Sequence, residues 1–147
     1  MENHEDFFAK VRANKDFDKA IELIPYAKLL GISFKECDEE GLLFHLPFQK
    51  KNIGNIALPA IHGGVIGGFM ENAAVIHLMW AMDSVSMPKI IDFNIDYTLS
   101  GRPEDMYASC EIVKLGKRIA NVQIQAWQGD RKKVIAVARS HFKLMLN

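Results

Sequence analysis

The segment His62-Gly63-Gly64-Val65-Ile66-Gly67-Gly68-Phe69-Met70-Glu71-Asn72-Ala73-Ala74-Val75-Ile76-His77-Leu78-Met79-Trp80-Ala81-Met82 decides the fold of this chain. At about twenty residues it is too long for a strand, and it lacks the alternation of one. It reads as a helix over 63–82, roughly 30 Å long. Apolar residues occupy it nearly all round, so it must be buried nearly all round. A bilayer is the other home for so apolar a segment. Glu71, Asn72 and four glycines within 61–82 argue against that, and the rest of the chain reads as a water-soluble domain.

Upstream, residues 1–30 read as helical. Phe7, Phe8 and Val11, then Ala20, Ile21, Leu23 and Ile24, recur at spacings of three and four. Pro25 is predicted to split this region into two short helices. Residues 32–37 and 42–46 read as a strand pair turning near Asp38-Glu39-Glu40-Gly41, followed by a loop over 47–59. Downstream of the long helix everything reads as strand. Phe93, Ile95, Tyr97 and Leu99 alternate with polar residues, and Ser100-Gly101-Arg102-Pro103 makes a turn. A strand over 107–115, a hairpin turn at Gly116-Lys117, and the alternation of Ala120, Val122, Ile124 and Ala126 follow. Gly129-Asp130 turns into a last strand over 134–146.

A sheet of about six antiparallel strands cannot leave its apolar face in water. The 63–82 helix is the element apolar enough to cover it. The expectation is therefore an α+β domain over 1–147, with 1–30 as an N-terminal helical segment. An antiparallel sheet wrapped around one long central helix is the hotdog fold. Such a sheet has long edge strands, which a second copy would protect.

Composition narrows the functional classes. The 147 residues carry 18 Lys plus Arg and 18 Asp plus Glu, so the formal net charge is zero. A neutral chain has no global field to steer it onto nucleic acid or an anionic membrane, and neither partner is expected. Arg131-Lys132-Lys133 reads as a solvated turn. Cys37 and Cys110 are too few for a disulfide scaffold and lack metal-ligand spacing, so they read as small buried hydrophobes. The polar start, 1–10, reads as no secretory leader, which makes the cytoplasm the expected compartment.

The chemistry is carried by His62-Gly63-Gly64-Val65-Ile66-Gly67-Gly68-Phe69-Met70-Glu71. The first turns of a helix hold free N–H groups and the positive end of its dipole. Gly63 and Gly64 lack a Cβ, so a carbonyl or oxyanion can approach those donors. Glu71 interrupts an otherwise apolar helix, where burial raises a carboxyl pKa toward the range of a general base. Gly67 and Gly68 lie four and three positions earlier and are expected to leave open volume beside it. His62 and Glu71 are nine positions apart, roughly 900° of rotation, and so face opposite sides. Gly63 and Glu71 are about 12 Å apart along the axis. One chain cannot place both on one reacting group, which implies a composite site with Glu71 from one subunit and His62-Gly63 from another.

These residues resemble the hotdog acyl-CoA thioesterases of the phenylacetate-pathway type, related to one class of 4-hydroxybenzoyl-CoA thioesterases. That family opens its central helix with His-Gly-Gly and places Asp or Glu nine residues after the His. Here these are His62-Gly63-Gly64 and Glu71. Asp96-Tyr97, Ser100-Gly101-Arg102-Pro103, Gly116-Lys117-Arg118-Ile119-Ala120 and the 138–142 stretch add to the likeness, which covers about 30–146.

The resemblance implies Glu71 as general base or nucleophile, the Gly63 amide as oxyanion donor, and His62 as a positioning residue. Where the family often has Asn or Gln, six residues before the His, this chain has Ile56. Pro59 suggests a loop one residue longer, which assigns the role to Asn55. Val75 and Ile90 stand where relatives carry a hydroxyl, so the water-orienting group is missing or comes from elsewhere, with Ser84 and Ser86 as candidates. The implied substrate is a medium-length or aryl acyl-CoA. Gly64, Gly67 and Gly68 would lie along it, and Arg102, Lys117, Arg118 or Arg139 would meet its phosphates. No cofactor is implied beyond the Coenzyme A of the substrate, and the implied assembly is a homodimer or a dimer of dimers.

The same residues admit structural readings. Glu71 can be an interface carboxylate, His62 a helix cap, and the glycine pairs a device for close helix packing. His45, His77 and His141 lack ligand spacing and read as structural or surface residues. Met70, Met79, Met82 and Met87 read as core or flexible pocket lining. A non-catalytic acyl-CoA binding protein on the same fold is the alternative function. A hotdog hydratase is disfavoured, because no Asp here is followed five residues later by His.

Overall fold

The computed structural model describes residues 6–37 and 41–145. Helices α1 (Phe7–Asn14), α2 (Asp18–Ile21) and α3 (Pro25–Leu30) come first, then strands β1 (Ser33–Cys37) and β2 (Gly41–Leu46). A short hairpin of β3 (Ile53–Asn55) and β4 (Ala60–Ile61) leads into α4 (Gly63–Ala81). Strands β5 (Lys89–Tyr97), β6 (Met106–Leu115), β7 (Ile119–Trp127) and β8 (Val134–Lys143) complete the chain. The architecture is the expected hotdog fold. Six antiparallel strands in the order β1-β2-β6-β7-β8-β5 form one sheet, and α4 lies across it.

Local chemistry explains the element boundaries. The N-terminal segment forms three helices, not two, because Lys15 adopts a left-handed φ of 53° and stops α1 early. Pro25 starts a helix where a break was expected. It sits at the first helical position, where its missing N–H costs nothing, and Gly31 at φ 76° closes α3. The turn expected around Asp38-Glu39-Glu40 lies outside the described residues, and Gly41 opens β2 at φ 73°. The loop expected over 47–59 contains a 3-10 turn (Lys50–Asn52) and the first strand of the extra hairpin.

The sheet face toward α4 is built small at its centre. Ala108, Ala120, Ala126 and Ala136 are fully buried, as are Ala73 and Ala74 of α4, so helix and sheet approach closely. The alternation read for 120–126 is the observed one, with Ala120, Val122, Ile124 and Ala126 inward. Helices α1 to α3 cover the opposite side of α4. Phe8, Phe17 and Phe34 pack around the Trp80 ring at 5.8, 5.8 and 5.5 Å. Arg12 lies over the same ring at 4.3 Å, donates to the Trp80 carbonyl at 2.7 Å and pairs with Asp83. Among the described residues no helix is long and apolar enough to cross a membrane.

Strand β5 is the exception to good burial. It borders the sheet on one side only, and Ile90, Ile91 and Tyr97 are 42%, 54% and 51% exposed. Only Phe93 and Ile95 pack against the core from this strand.

Candidate active site

The start of α4 is organised by its two neighbours. His62 holds φ −58° and ψ 131° as the N-cap, and its Nδ1 accepts the Gly64 N–H at 2.8 Å. The capping reading of His62 is therefore what the structure displays, and the ring must carry its proton on Nε2 to do so. From the other side, the Tyr97 hydroxyl donates to the Gly63 carbonyl at 2.7 Å. The Gly63–Gly64 peptide is thus held at both its N–H and its C=O. The Gly63 N–H, at the first helical position, has no intrahelical acceptor and stays available as a donor.

The hairpin before the helix sets the position of His62. The His62 N–H donates to the Asn52 carbonyl at 2.8 Å. A Cβ on Gly54 would fall 2.7 Å from the His62 Cα, so only glycine lets the hairpin lie against it. Asn55 plays a turn role here. Its Oδ1 accepts the amides of Ala57 and Leu58 at 3.0 and 3.2 Å and closes the hairpin. Asn52 is the asparagine against His62, buried, with its Nδ2 unpartnered among the described residues. Sequence reading missed it. The available signal was Asn52-Ile53-Gly54, a glycine that a plain loop does not require.

Glu71 is half-buried, and desolvation raises its pKa above the ordinary carboxylate value. It lines a cleft of about 320 Å³ with Ile24, Tyr26, Asn72, Val75, Met87, Pro88 and Ile90. Asn72 beside it is buried and donates to the Gly68 carbonyl at 2.7 Å. The open volume expected above Gly67 and Gly68 is not there. A Cβ at Gly67 would contact Tyr97 and Phe93 at 3.7 and 3.9 Å, and one at Gly68 would lie 3.1 Å from the Tyr26 hydroxyl. Aromatic rings from β5 and α3 occupy that space, and the open volume lies one turn further on, at Glu71 and Val75. Neither hydroxyl candidate lines the cleft; the Ser84 Oγ accepts the Ser86 N–H at 3.1 Å in the turn after α4.

The predicted cations separate into distant groups. Gly101 accepts the Ile61 N–H at 2.9 Å, which puts Arg102 near the start of α4, where it pairs with Glu104 at 3.3 Å. Lys117 and Arg118 sit beyond the other end of β6, about 30 Å away along that ten-residue strand. The Arg118 carbonyl accepts the Leu144 N–H at 2.7 Å, and Lys89 pairs across the sheet with Lys143. Lys117 and Arg118 thus share the sheet end where β5 begins, next to the cleft residues Met87, Pro88 and Ile90. Arg139 registers opposite Asn94 and Gln123 on the sheet face away from α4.

The remaining titratable candidates are structural. His45 and His141 pair with Asp105 and Asp92, each at 2.9 Å. His77 is half-buried on α4, and desolvation lowers its pKa. Burial pushes the Cys110 thiol up, so it packs as a hydrophobe. Among the described residues no group of three His, Cys, Asp or Glu side chains converges.

A hotdog core that exposes a helix N-terminal amide and a desolvated carboxylate on one helix has the parts of an acyl-transfer site. The sequence profile of the Thioesterase superfamily matches residues 58–135, more than half the chain, and the chain belongs to that superfamily. It is a thioester hydrolase. The medium/long-chain acyl-CoA thioesterase YigI of Escherichia coli strain K12 is 24% identical over 115 residues, covering 69% of this chain and 74% of YigI. The crystal structure of a Chromobacterium violaceum protein shares 49% identity at a TM-score of 0.76, covering 94% of this chain and 96% of that one. A phenylacetic acid degradation-related protein of Ralstonia eutropha JMP134 shares the fold, with a TM-score of 0.71, 15% identity, and coverage of 82% and 90%.

Proposed function

We propose that the chain hydrolyses medium-length or aryl acyl-CoA thioesters in the cytoplasm, at two identical sites shared between the protomers of a two-fold dimer. The observation that carries this reading is the placement of two site halves at opposite ends of one exposed strand. Tyr97, the last residue of β5, holds Gly63 at 2.7 Å. Ile90, the second residue of β5, lines the Glu71 cleft. Seven steps along β5 separate Ile90 from Tyr97 by about 23 Å, and Gly63 and Glu71 themselves lie about 12 Å apart along α4. If β5 pairs antiparallel with its own copy, the Gly63 end of one protomer meets the Glu71 end of the other. The exposed Ile90, Ile91 and Tyr97 give that edge an apolar reason to pair. The same operation brings Arg102 of one protomer toward Lys117 and Arg118 of the other, where Coenzyme A phosphates need cations.

In the resulting site the thioester carbonyl accepts the Gly63 N–H at the positive end of α4. Glu71 takes a proton from water as the oxygen bonds to the carbonyl carbon. The C–S bond breaks, the sulfur leaves as thiolate, and the proton held by Glu71 returns to it. Direct attack by Glu71 would instead give an acyl–carboxylate anhydride that water opens in a second step. The YigI relative, active on medium- and long-chain acyl-CoA by its name, supports the carrier.

A mixing experiment tests the composite site. Gly63→Pro removes the N–H; proline is accepted at the first helical position, and its Cβ, 3.2 Å from the Tyr97 hydroxyl, requires that side chain to give by a few tenths of an ångström. His62 already holds the extended conformation that precedes proline. Gly63→Pro and Glu71→Gln should each be nearly inactive in thiol release from acyl-CoA. After subunit exchange, half of the dimers are mixed and each carries one intact site. About a quarter of wild-type activity should return. No recovery despite proven exchange would place both residues in one protomer's site and end the composite reading.

A further inference from the structure

The roof of the Glu71 cleft comes from residues that the superfamily profile does not reach. That profile covers 58–135, whereas Ile24 and Tyr26 belong to the entry of α3. This roof is built rigidly. Pro25 starts α3, Gly31 closes it, and Ala27 and Leu30 anchor it in the core. The Tyr26 hydroxyl stands over Gly68, where a Cβ would approach it to 3.1 Å. The phenol therefore closes the cleft on the side leading along α4 toward its N-terminus. The remaining walls, Ile24, Val75, Met87, Pro88 and Ile90, are apolar, and the polar groups Glu71 and Asn72 lie on α4. Such a cleft suits an uncharged hydrocarbon with its reacting end at Glu71. A cavity of about 150 Å³ lined by aliphatic side chains holds benzene. A cleft of about 320 Å³ therefore has room for one ring with a short arm or a medium-length chain.

We propose that Tyr26 sets the acyl length limit of this enzyme by filling the channel over Gly68 through which a longer chain would run. This rests on the thioesterase reading of the Glu71 cleft and adds the residue that chooses the substrate. The ring and not the hydroxyl does the work, so Tyr26→Phe should keep the wild-type preference. Tyr26→Ala should open the channel and raise the kcat/KM of a C16 acyl-CoA relative to a C8 acyl-CoA by about tenfold, chiefly through KM. Gly68→Ala should act in the opposite sense, because its Cβ pushes the ring into the cleft and penalises the longest chains first.

The test is thiol release across saturated acyl-CoAs from C4 to C16 and phenylacetyl-CoA, for wild type and the three variants. Binding of non-hydrolysable S-alkyl-CoA thioethers of the same lengths is measured in parallel. A merely structural Tyr26 would lower all substrates together and leave the length profile unchanged, and that result overturns the inference. A wild type that releases no thiol overturns the thioesterase reading instead. The thioether series then still reads length selection, and an unchanged thioether profile in Tyr26→Ala overturns the inference in that case too.

Discussion

The two halves of α4 are one helix with opposite assignments. Up to Glu71, the helix carries Gly63, Gly64, Gly67 and Gly68, and only Ile66, Phe69 and Met70 are buried. Beyond Glu71, every residue to Trp80 is buried except His77, which is half-buried. Each helical glycine costs about 1 kcal/mol against alanine, so the first half is a poor helix by itself. The second half offsets this with Trp80 enclosed by Phe8, Phe17 and Phe34 and capped by Arg12. Truncating a buried aromatic of that size costs about 3–5 kcal/mol, comparable to all four glycines together. On the proposed function, stability and chemistry occupy separate turns of the same element. Substitutions in one half should move stability and in the other should move rate.

Trp80→Ala gives the largest expected effect. Loss of about 3–5 kcal/mol should lower Tm by about 10 °C in scanning calorimetry. Well below the new transition, kcat should stay within about twofold of wild type. A variant with unchanged Tm and abolished turnover would break the division.

Glu71→Gln is the converse. If Glu71 is the base proposed above, its loss should reduce kcat by about 10²–10³ with the fold intact. The raised pKa of Glu71 also fixes the sign of its effect on stability. In the unfolded chain Glu71 gives up its proton at a lower pH than in the folded one. Between those two pKa values the folded state binds more protons, so stability falls as pH rises through the window and stays lower above it. The amide carries no such penalty. Glu71→Gln should therefore melt at or above the wild-type Tm at pH 8, and the difference should close toward pH 4. The kcat of the wild type should rise with pH through an inflection above the ordinary carboxylate value. An inflection at the ordinary value, with no Tm difference at pH 8, would mean that Glu71 is solvated.

Much of this was legible in the sequence, for identifiable reasons. The length and apolarity of 63–82 left one place for that helix, and period-two alternation placed the strands after it. His62-Gly63-Gly64 and Glu71 named the family because their spacing is set by chemistry at the helix start. What escaped were contacts made by distant residues. Nothing in the pattern around Tyr26 or Tyr97 says that their rings lie against Gly68 and Gly63, since those contacts exist only once α3 and β5 pack on α4. Gly67 and Gly68 predict open space from the sequence alone, whereas in the structure they seat the rings of Tyr97, Phe93 and Tyr26. Asn55 was favoured by counting back from His62. The hairpin of β3 and β4 lengthens that path, and it is Asn52 whose carbonyl holds the His62 N–H.

The smallest expected effects give the sharpest comparison, because they delete similar bonds at the two ends of α4. Tyr97→Phe removes the hydroxyl that donates to the Gly63 carbonyl. Arg12→Met removes the guanidinium that donates to the Trp80 carbonyl and pairs with Asp83, while keeping an apolar stem over the ring. A net hydrogen bond contributes about 0.5–1.5 kcal/mol, so both variants should lower Tm by a few degrees at most. They should separate in kinetics. Tyr97→Phe frees one end of the Gly63–Gly64 peptide, whose other end His62 still holds, and the adjoining Gly63 N–H loses its fixed aim. A fall in kcat of about fivefold with KM little changed should follow, since a donor aimed at developing charge acts mainly in the transition state. Arg12→Met should leave both constants unchanged. If Arg12→Met lowers kcat as Tyr97→Phe does, the two ends of α4 are mechanically coupled, and rigidity of the whole helix, not the fixing of one peptide, is what the catalytic end requires.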